Sequence, residues 1–223
     1  MHIVLVHGAG GTPTTWSELV PLLGDRAHTL VTNPMSSLTD DVAHTLGVVE
    51  SIGGPVLLVG HSYGGAVITN VGRSEQVKGL VYVAAFAPDE GESVNGIVER
   101  YPPAEVSKYM RRGPNGEWKS EHTDEYWDEI GWDVPVDQRH IWDSESRQSD
   151  NRIFSEATGE PAWRTKKAWY LVAAEDKTLP PGIQRDMAAR AGAITSEVPG
   201  SHFTPRVRPA DVLTVIDRAL DAL

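Results

Sequence analysis

The segment Gly60-His61-Ser62-Tyr63-Gly64-Gly65 constrains the fold more than any other part of this sequence. The apolar run Val56–Val59 precedes it, and residues 66–71 can begin a buried helix after it. A serine at the tip of such a strand-to-helix turn is strained, and neighbouring glycines remove the side chains that would clash there. A glycine-rich turn in which Ser62 only caps the helix is the alternative interpretation. The order strand, G-x-S-x-G, helix favours a nucleophile elbow.

Composition limits the classes of protein to which the chain can belong. Its 223 residues suit one α/β domain, 1–223, with a sizeable core. The formal charge of -11 argues against a nucleic-acid or anionic-membrane partner, because those need clustered Lys and Arg. Without cysteine there is no disulfide, thiolate zinc site or cysteine nucleophile. No H-E-x-x-H spacing occurs, so we expect neither a metal nor another cofactor.

The N-terminus enters a short apolar run, residues 1–6, with no basic stretch before it. Such a run is too short and wrongly flanked for a signal peptide, and no other apolar stretch approaches membrane-spanning length. We therefore expect a cytoplasmic protein without a membrane partner. No sequence feature indicates an oligomeric state.

Short apolar runs alternate with helical patterns, which predicts βαβ units and a parallel sheet flanked by helices. Thr12 and Pro13 predict a helix start, Ser37 to Ile52 a second helix, and the stripe from Val212 to Leu223 a C-terminal helix. The six predicted strands are His2–Val6, His28–Thr32, Pro55–Val59, Gly79–Ala85, Ala168–Ala173 and Ala193–Val198.

The alternation stops between Pro88 and Lys167, which indicates an insertion, 89–167. It is too long for a structureless connection, so we expect a mainly helical and mobile lid. The helices are predicted around Pro103–Arg112, Thr123–Ile130 and Trp142–Asn151. Its tryptophans can form a small core, and some can line a pocket, with Trp127 and Trp132 the first candidates to contact a substrate.

A serine nucleophile needs a base and a carboxylate that orients the base. His202 follows the last predicted strand and the turn 199–201, so it is the expected base. Asp176 ends the fifth strand and is the first candidate for the acid, with Glu175 and Asp89 as alternatives. Any of these carboxylates can instead be a solvated loop charge.

The loop His7-Gly8-Ala9-Gly10-Gly11 follows the first strand and lets backbone N–H groups turn toward a substrate. The N–H groups of Ala9 and Tyr63 would form an oxyanion hole. A phosphate-binding loop is the weaker interpretation, because the G-x-G-x-x-G spacing and the P-loop lysine are absent.

These residues resemble those of α/β-hydrolase-fold carboxylesterases, in the branch that contains plant methyl esterases and hydroxynitrile lyases. The matching segments are 6–9, 60–65, 175–177 with 180–185, and 200–202. The resemblance implies an α/β-hydrolase fold with the first and third strands adjacent, and it favours Asp176 over Glu175. The chain order Ser62, Asp176, His202 is that of this fold.

Lyases of this branch use the same triad, so the fold alone does not decide the reaction. They carry a lysine after the catalytic histidine and a threonine after the histidine of the first loop, where this chain has Phe203 and Gly8. We therefore expect a cofactor-independent serine hydrolase that cleaves a small, largely apolar carboxylic ester through an acyl-enzyme. A cyanohydrin or other carbon–carbon lyase, and a non-catalytic ligand-binding protein, are the alternatives.

Overall fold

A six-stranded parallel sheet forms the centre of the molecule in the computed structural model, which describes residues 1–113 and 118–223. The strands of this sheet are β1 (His2–Val6), β2 (His28–Val31), β3 (Val56–His61), β4 (Val77–Val83), β7 (Lys167–Ala173) and β8 (Ile194–Val198). Their order across the sheet is β2-β1-β3-β4-β7-β8. All six predicted strands are confirmed, with bounds that differ by at most two residues.

Strands β1 and β3 are direct neighbours, with His2 opposite Val56 and Val6 opposite Gly60. The expected adjacency of the first and third strands is therefore confirmed. Because both strands are parallel, the loop at residues 7–11 and the turn at residues 60–65 begin side by side at the same edge of the sheet. Ligands bind at this carboxyl edge in open α/β sheets.

Helices cover both faces of the sheet. Along β1, Val4 and Val6 pack on one face, whereas Ile3 and Leu5 pack on the other. Each large apolar side chain buried in this way contributes about 1.5–3 kcal/mol. The helices are α1 (Val20–Leu23), α2 (Leu38–Ile52), α3 (Gly64–Val71), α4 (Val94–Val98), α5 (Asp124–Glu129), α6 (Val136–Ser144), α7 (Arg152–Ser155), α8 (Pro181–Arg190), α9 (Thr204–Val207) and α10 (Pro209–Asp221).

The predicted helix after Thr12 is divided in two. Thr12 caps a 3-10 helix, Pro13–Trp16, and α1 follows with Pro21 in its first turn. Proline has no N–H to donate, so a continuous helix would lose a hydrogen bond at that position. The second predicted helix begins at Leu38, where the Ser37 side chain accepts from the Asp40 amide.

The insertion contains short helices and one small hairpin, and residues 114–117 lie outside its described part. The helix predicted at Pro103–Arg112 is wrong: a 3-10 helix, Glu105–Tyr109, leads into β5 (Met110–Arg112), which pairs antiparallel with β6 (Trp118–Ser120). Cross-strand pairing replaces helix formation there. The helix predicted at Thr123–Ile130 is confirmed as α5, which Thr123 caps.

The helix predicted at Trp142–Asn151 is wrong in its placement. Helix α6 begins after Pro135 and ends at Ser144, so Trp142 lies in its last turn. The hydroxyls of Ser144 and Ser146 donate to the carbonyls of Ile141 and Asp143. Such side-chain bonds to the backbone compete with the continuation of a helix. Among the described residues, no helix is both long and apolar enough to cross a membrane.

Candidate active site

Ser62 stands at a strained turn between β3 and α3. Its φ of 53° lies in the left-handed region, which costs a non-glycine residue about 1–3 kcal/mol. The Ser62 carbonyl accepts hydrogen bonds from the amides of Gly65 and Phe86, both at 3.0 Å, and these bonds hold the turn. A Cβ on Gly64 would lie 2.5 Å from the Val6 carbonyl oxygen, so β1 approaches too closely for a larger residue. The strand, turn and helix geometry of an elbow is present.

The predicted base and acid lie in contact. His202 Nδ1 is 2.7 Å from Asp176 Oδ2, and the Asp176 side chain has no exposed surface. Asp176 Oδ1 accepts from the amides of Thr178 and Leu179, each at 2.8 Å, and Oδ2 also accepts from Gln184 Nε2 at 2.9 Å. Because N–H donors surround both oxygens, the Asp176 carboxylate is held in place as an acceptor for the imidazole.

The two alternative carboxylates lie elsewhere. Glu175 is exposed, and its amide donates to the Gly200 carbonyl. Asp89 Oδ1 pairs with Arg164 Nη2 at 2.6 Å. The structure therefore brings Asp176 to His202 and gives Asp89 a different partner.

The elbow and the histidine loop meet through His61. The rings of His61 and His202 are 4.8 Å apart between centroids, and His61 Nε2 lies 2.9 Å from the His202 carbonyl oxygen. Within the part of the chain that the structure describes, no hydrogen bond joins the Ser62 hydroxyl to His202. Catalytic hydrogen bonds are often long before the substrate binds.

The loop after β1 presents a fixed peptide group beside Ser62. The Gly8 carbonyl accepts from His7 Nδ1 at 2.9 Å and from the Gly11 amide at 3.1 Å. Because a trans peptide places its N–H opposite its carbonyl, the Ala9 N–H points away from these donors. A Cβ on Gly8 would be only 2.7 Å from the Ser62 Cβ, so this loop lies directly against the serine.

The two amides predicted to form an oxyanion hole are available for a ligand. Neither the Ala9 N–H nor the Tyr63 N–H donates to an acceptor within residues 1–113 and 118–223. The Tyr63 ring is held in place by its hydroxyl, which donates to Asp41 Oδ2 at 2.9 Å. Burial raises the pKa of Asp41, whose other oxygen accepts from the Met35 amide.

The two buried histidines near Ser62 favour the neutral form. Burial lowers the pKa of His7, and the Arg147 charge lowers it further, although the hydrogen bond to Gly8 acts in the opposite direction. Burial also holds the pKa of His61 well below its usual range, with the neighbouring His202 adding to the effect.

Sequence reasoning did not assign roles to Gln184, His7 or His61. Gln184 is fully buried, and it donates to Asp176 Oδ2 while its own Oε1 accepts from the Ala173 amide. Its position four residues after Pro180, within a segment that carries the family resemblance, was the available signal. Nothing in their spacing indicated the partners of the two histidines.

The two predicted substrate-contacting tryptophans have different surroundings. Trp127 is 3% exposed, and its ring centroid lies 5.3 Å from that of Phe203, directly after His202. Trp142 packs on the same phenylalanine at 5.9 Å. Trp132, by contrast, is 41% exposed. Aromatic side chains of the insertion therefore reach the histidine loop through Trp127, whereas Trp132 lies at the surface.

The insertion forms hydrogen bonds with three of the loops that carry the candidate site. The Val106 amide donates to the Lys177 carbonyl at 3.1 Å, next to Asp176. Asp133 Oδ2 accepts from the Ser201 amide at 2.9 Å, next to His202. The Arg147 amide donates to the Gly10 carbonyl at 2.7 Å, next to Ala9.

Nothing in the described ranges gathers three or more His, Asp or Glu side chains in a metal-binding arrangement. The arrangement that is present suits acyl transfer: a strained serine, a histidine bonded to a buried carboxylate, and two unpaired amides.

Comparison with known proteins agrees with this fold. The family model described as the alpha/beta hydrolase family matches residues 3–215. The chain belongs to the alpha/beta hydrolase family. A carbendazim hydrolyzing esterase from Nocardioides sp. (strain SG-4G) is 39% identical over 88 residues, which make up 38% of this chain and 36% of that esterase.

Two solved structures share the fold over almost their whole length. A pyrethroid hydrolase from Sphingobium faniae JZ-2 has a TM-score of 0.83 at 20% identity, covering 100% of this chain and 98% of that one. A methylesterase from Arabidopsis has a TM-score of 0.79 at 18% identity, covering 100% of both chains. The predicted fold and the predicted resemblance to carboxylesterases related to plant methyl esterases are confirmed.

Proposed function

We propose that this protein hydrolyses a small, largely apolar carboxylic ester, with Ser62 as nucleophile, His202 as base and Asp176 as the residue that orients the base. The observation that carries the proposal is the 2.7 Å contact between His202 and the buried Asp176, beside a serine held at a φ of 53°. Histidine must accept a proton from serine for the hydroxyl to attack, and a buried carboxylate stabilises the imidazolium that results.

The reaction proceeds in two displacements. Ser62 Oγ attacks the ester carbonyl while His202 Nε2 accepts its proton, and the amides of Ala9 and Tyr63 donate to the resulting oxyanion. Collapse of this intermediate breaks the bond to the alcohol, which leaves with the proton from His202. Water then attacks the acyl-enzyme by the same sequence and releases the acid.

The substrate class is proposed from the surroundings of the site and from the relatives. The insertion supplies apolar rings around Phe203, and a phenylalanine after the base offers no charge to an anionic group. One relative is named for carbendazim hydrolysis and one structural neighbour for pyrethroid hydrolysis. Both names favour a small apolar substrate, and we propose that the insertion, 89–167, acts as a lid whose Trp127 and Trp132 help to shape its pocket.

The experiment measures hydrolysis of p-nitrophenyl esters and labelling by a fluorophosphonate. Ser62→Ala should fold normally, lose labelling and lose kcat by roughly 10³-fold to 10⁶-fold. Asp176→Asn should cost about 10⁴-fold, because it selects the wrong histidine tautomer. Ser51→Ala, which removes an exposed hydroxyl bonded only to the Val48 carbonyl, is the matched control and should leave kcat unchanged.

Three results would contradict the proposal. Near wild-type hydrolysis by Ser62→Ala would remove the serine from the reaction, and a larger loss in Asp89→Asn than in Asp176→Asn would move the acid to the loop after β4. Release of aldehyde from an aromatic cyanohydrin, with no ester hydrolysis, would identify a lyase instead.

A further inference from the structure

The side chain of His61 links the nucleophile turn to the loop of the proposed base. Its Nε2 lies 2.9 Å from the main-chain carbonyl oxygen of His202. A carbonyl oxygen can only accept, so Nε2 must carry a proton, and in a neutral ring Nδ1 then carries none. This hydrogen bond therefore requires one tautomer of a neutral His61.

The surroundings of His61 favour that neutral tautomer. The residue is 9% exposed, and burial holds the pKa of its imidazole well below the usual range. Trp16 meets the ring edge-on at 6.4 Å, and the His202 ring is 4.8 Å away. When His202 becomes imidazolium during turnover, a second charged ring at that distance would be strongly disfavoured.

The loop after β1 packs closely against His61. A Cβ on Gly8 would lie 3.3 Å from His61 Nδ1 and 2.7 Å from the Ser62 Cβ, so the Gly8 backbone lies close against both residues. The Ser62 backbone is in turn held by the amides of Gly65 and Phe86. His61 thus extends from a turn that has little freedom to move.

We propose that His61 is a positioning residue that sets the separation between Ser62 and His202. The inference rests on the proposed function of these two residues. His61 and Ser62 are consecutive, so a hydrogen bond from His61 to the His202 backbone transfers the geometry of the turn to the base. Asp133 of the insertion accepts from the preceding Ser201 amide, whereas His61 of the nucleophile turn donates to the His202 carbonyl. The two bonds hold the histidine loop from opposite neighbours.

Two substitutions separate the hydrogen bond from packing. In His61→Gln the amide nitrogen can reach the position of Nε2 and donate to the same carbonyl, so kcat should stay within about 10-fold of wild type. In His61→Leu the donor is lost and kcat should fall roughly 10²-fold with KM nearly unchanged, as for a misplaced catalytic group. His61→Asn places its donor too near the backbone and should behave like His61→Leu, even if the leucine variant fails to fold.

Trp16→Phe is the packing control, because it trims the ring edge against His61 without touching the hydrogen bond. It should lower the melting temperature while keeping kcat within about threefold. Fluorophosphonate labelling provides the independent readout: His61→Leu and His61→Asn should label slowly but completely, since Ser62 is intact.

The outcomes distinguish this inference from the proposed function. Equal kcat in the glutamine, asparagine and leucine variants, whether unchanged or equally reduced in folded protein, would overturn the positioning role. Failure of wild-type protein to label at all would instead overturn Ser62 as the nucleophile. Loss of labelling capacity in the folded glutamine variant would also contradict the inference, because that variant retains the donor.

Discussion

The two ring nitrogens of His7 have partners that demand opposite roles. Nδ1 faces the Gly8 carbonyl at 2.9 Å and must donate, whereas Nε2 faces the Asn33 amide at 3.3 Å and must accept. Only the neutral tautomer with its proton on Nδ1 satisfies both partners. Because the Gly8 carbonyl and the Ala9 N–H belong to one rigid peptide, the tautomer of His7 fixes the direction of a proposed oxyanion donor.

Replacing His7 with phenylalanine should therefore impair turnover more than folding. The ring remains, but the Gly8–Ala9 peptide loses one of the two donors that hold it. We expect kcat to fall by up to about 10²-fold to 10³-fold, the cost of losing one oxyanion donor, with a smaller change in KM. His28→Phe, on the edge strand β2, is the control, because the His28 ring bonds only the nearby Arg26 carbonyl. Unaltered kcat in folded His7→Phe would show that the peptide needs no such support.

The sequence indicated Ser62, His202 and Asp176 as candidates, because each has a local signal: the elbow, the turn before the last helix, and the end of a strand. The family resemblance favoured Asp176 over Glu175, and the structure brings Asp176 into contact with His202. His7 and His61 were recognised only as parts of motifs. Their hydrogen bonds join loops that are 26 and 141 positions apart in sequence, and no local pattern encodes such a contact.

At the scale of elements, the two ends of the insertion are joined to each other and to α8. The Gly91 amide donates to the Thr158 carbonyl at 2.9 Å, and the Thr158 amide returns a bond to the Glu92 carbonyl at 2.8 Å. The Glu92 carboxylate accepts from Nη1 and Nη2 of Arg190, at 2.9 and 2.8 Å, and pairs with Arg100 at 2.7 Å. Glu92 therefore connects the start of the insertion to the core.

Glu92→Gln should destabilise the protein at neutral pH and have little effect in acid. Partial burial acts to raise the pKa of Glu92, but the hydrogen bonds from Arg190, the Asp89 amide and Arg100 outweigh it, so the pKa lies below the usual range. A lowered folded-state pKa gives stability that is present above the unfolded pKa, about 4.3, and is lost as pH falls through the folded value. We expect a loss of about 1–2 kcal/mol at pH 7, discounted for the exposed Arg100, that shrinks toward pH 3.

Urea unfolding at both pH values measures this difference. The exposed Glu99, changed to glutamine, serves as the control for removing one negative charge from an acidic protein. A loss of stability that is equal at pH 7 and pH 3 would show that Glu92 acts through packing and not through its charge.

Strand positions were predictable because each central strand is a run of residues buried on both faces, as in β3. Elements of the insertion were less predictable. Helix α6 buries only Trp142, and β5 buries none of its residues, so no apolar repeat marks them. Their ends are determined instead by Pro135, by serine hydroxyls and by cross-strand pairing.

At the scale of the whole molecule, the insertion is bonded through Val106 and Asp133 to the loops that carry Asp176 and His202, and through Arg147 to the loop after β1. Its aromatic core also packs on Phe203, between His202 and α9. The insertion has a small core, and part of that core is formed by residues of the sheet domain. We therefore expect the insertion to have little stability of its own. Unfolding of the sheet should therefore unfold the insertion, and unfolding of the insertion should disturb the loops of the proposed active site.

We accordingly expect the insertion and the sheet to unfold in one cooperative transition. Five of the seven tryptophans lie within 89–167, so tryptophan fluorescence reports mainly on the insertion, while far-ultraviolet circular dichroism reports on the whole fold. In urea the two signals should give coincident midpoints, and esterase activity should be lost over the same range. Opening of a mobile lid would instead appear as a fluorescence change that precedes the dichroism change, together with early loss of activity. Trp16→Phe, which leaves every insertion tryptophan in place, should shift both transitions by the same amount if the two regions unfold as one.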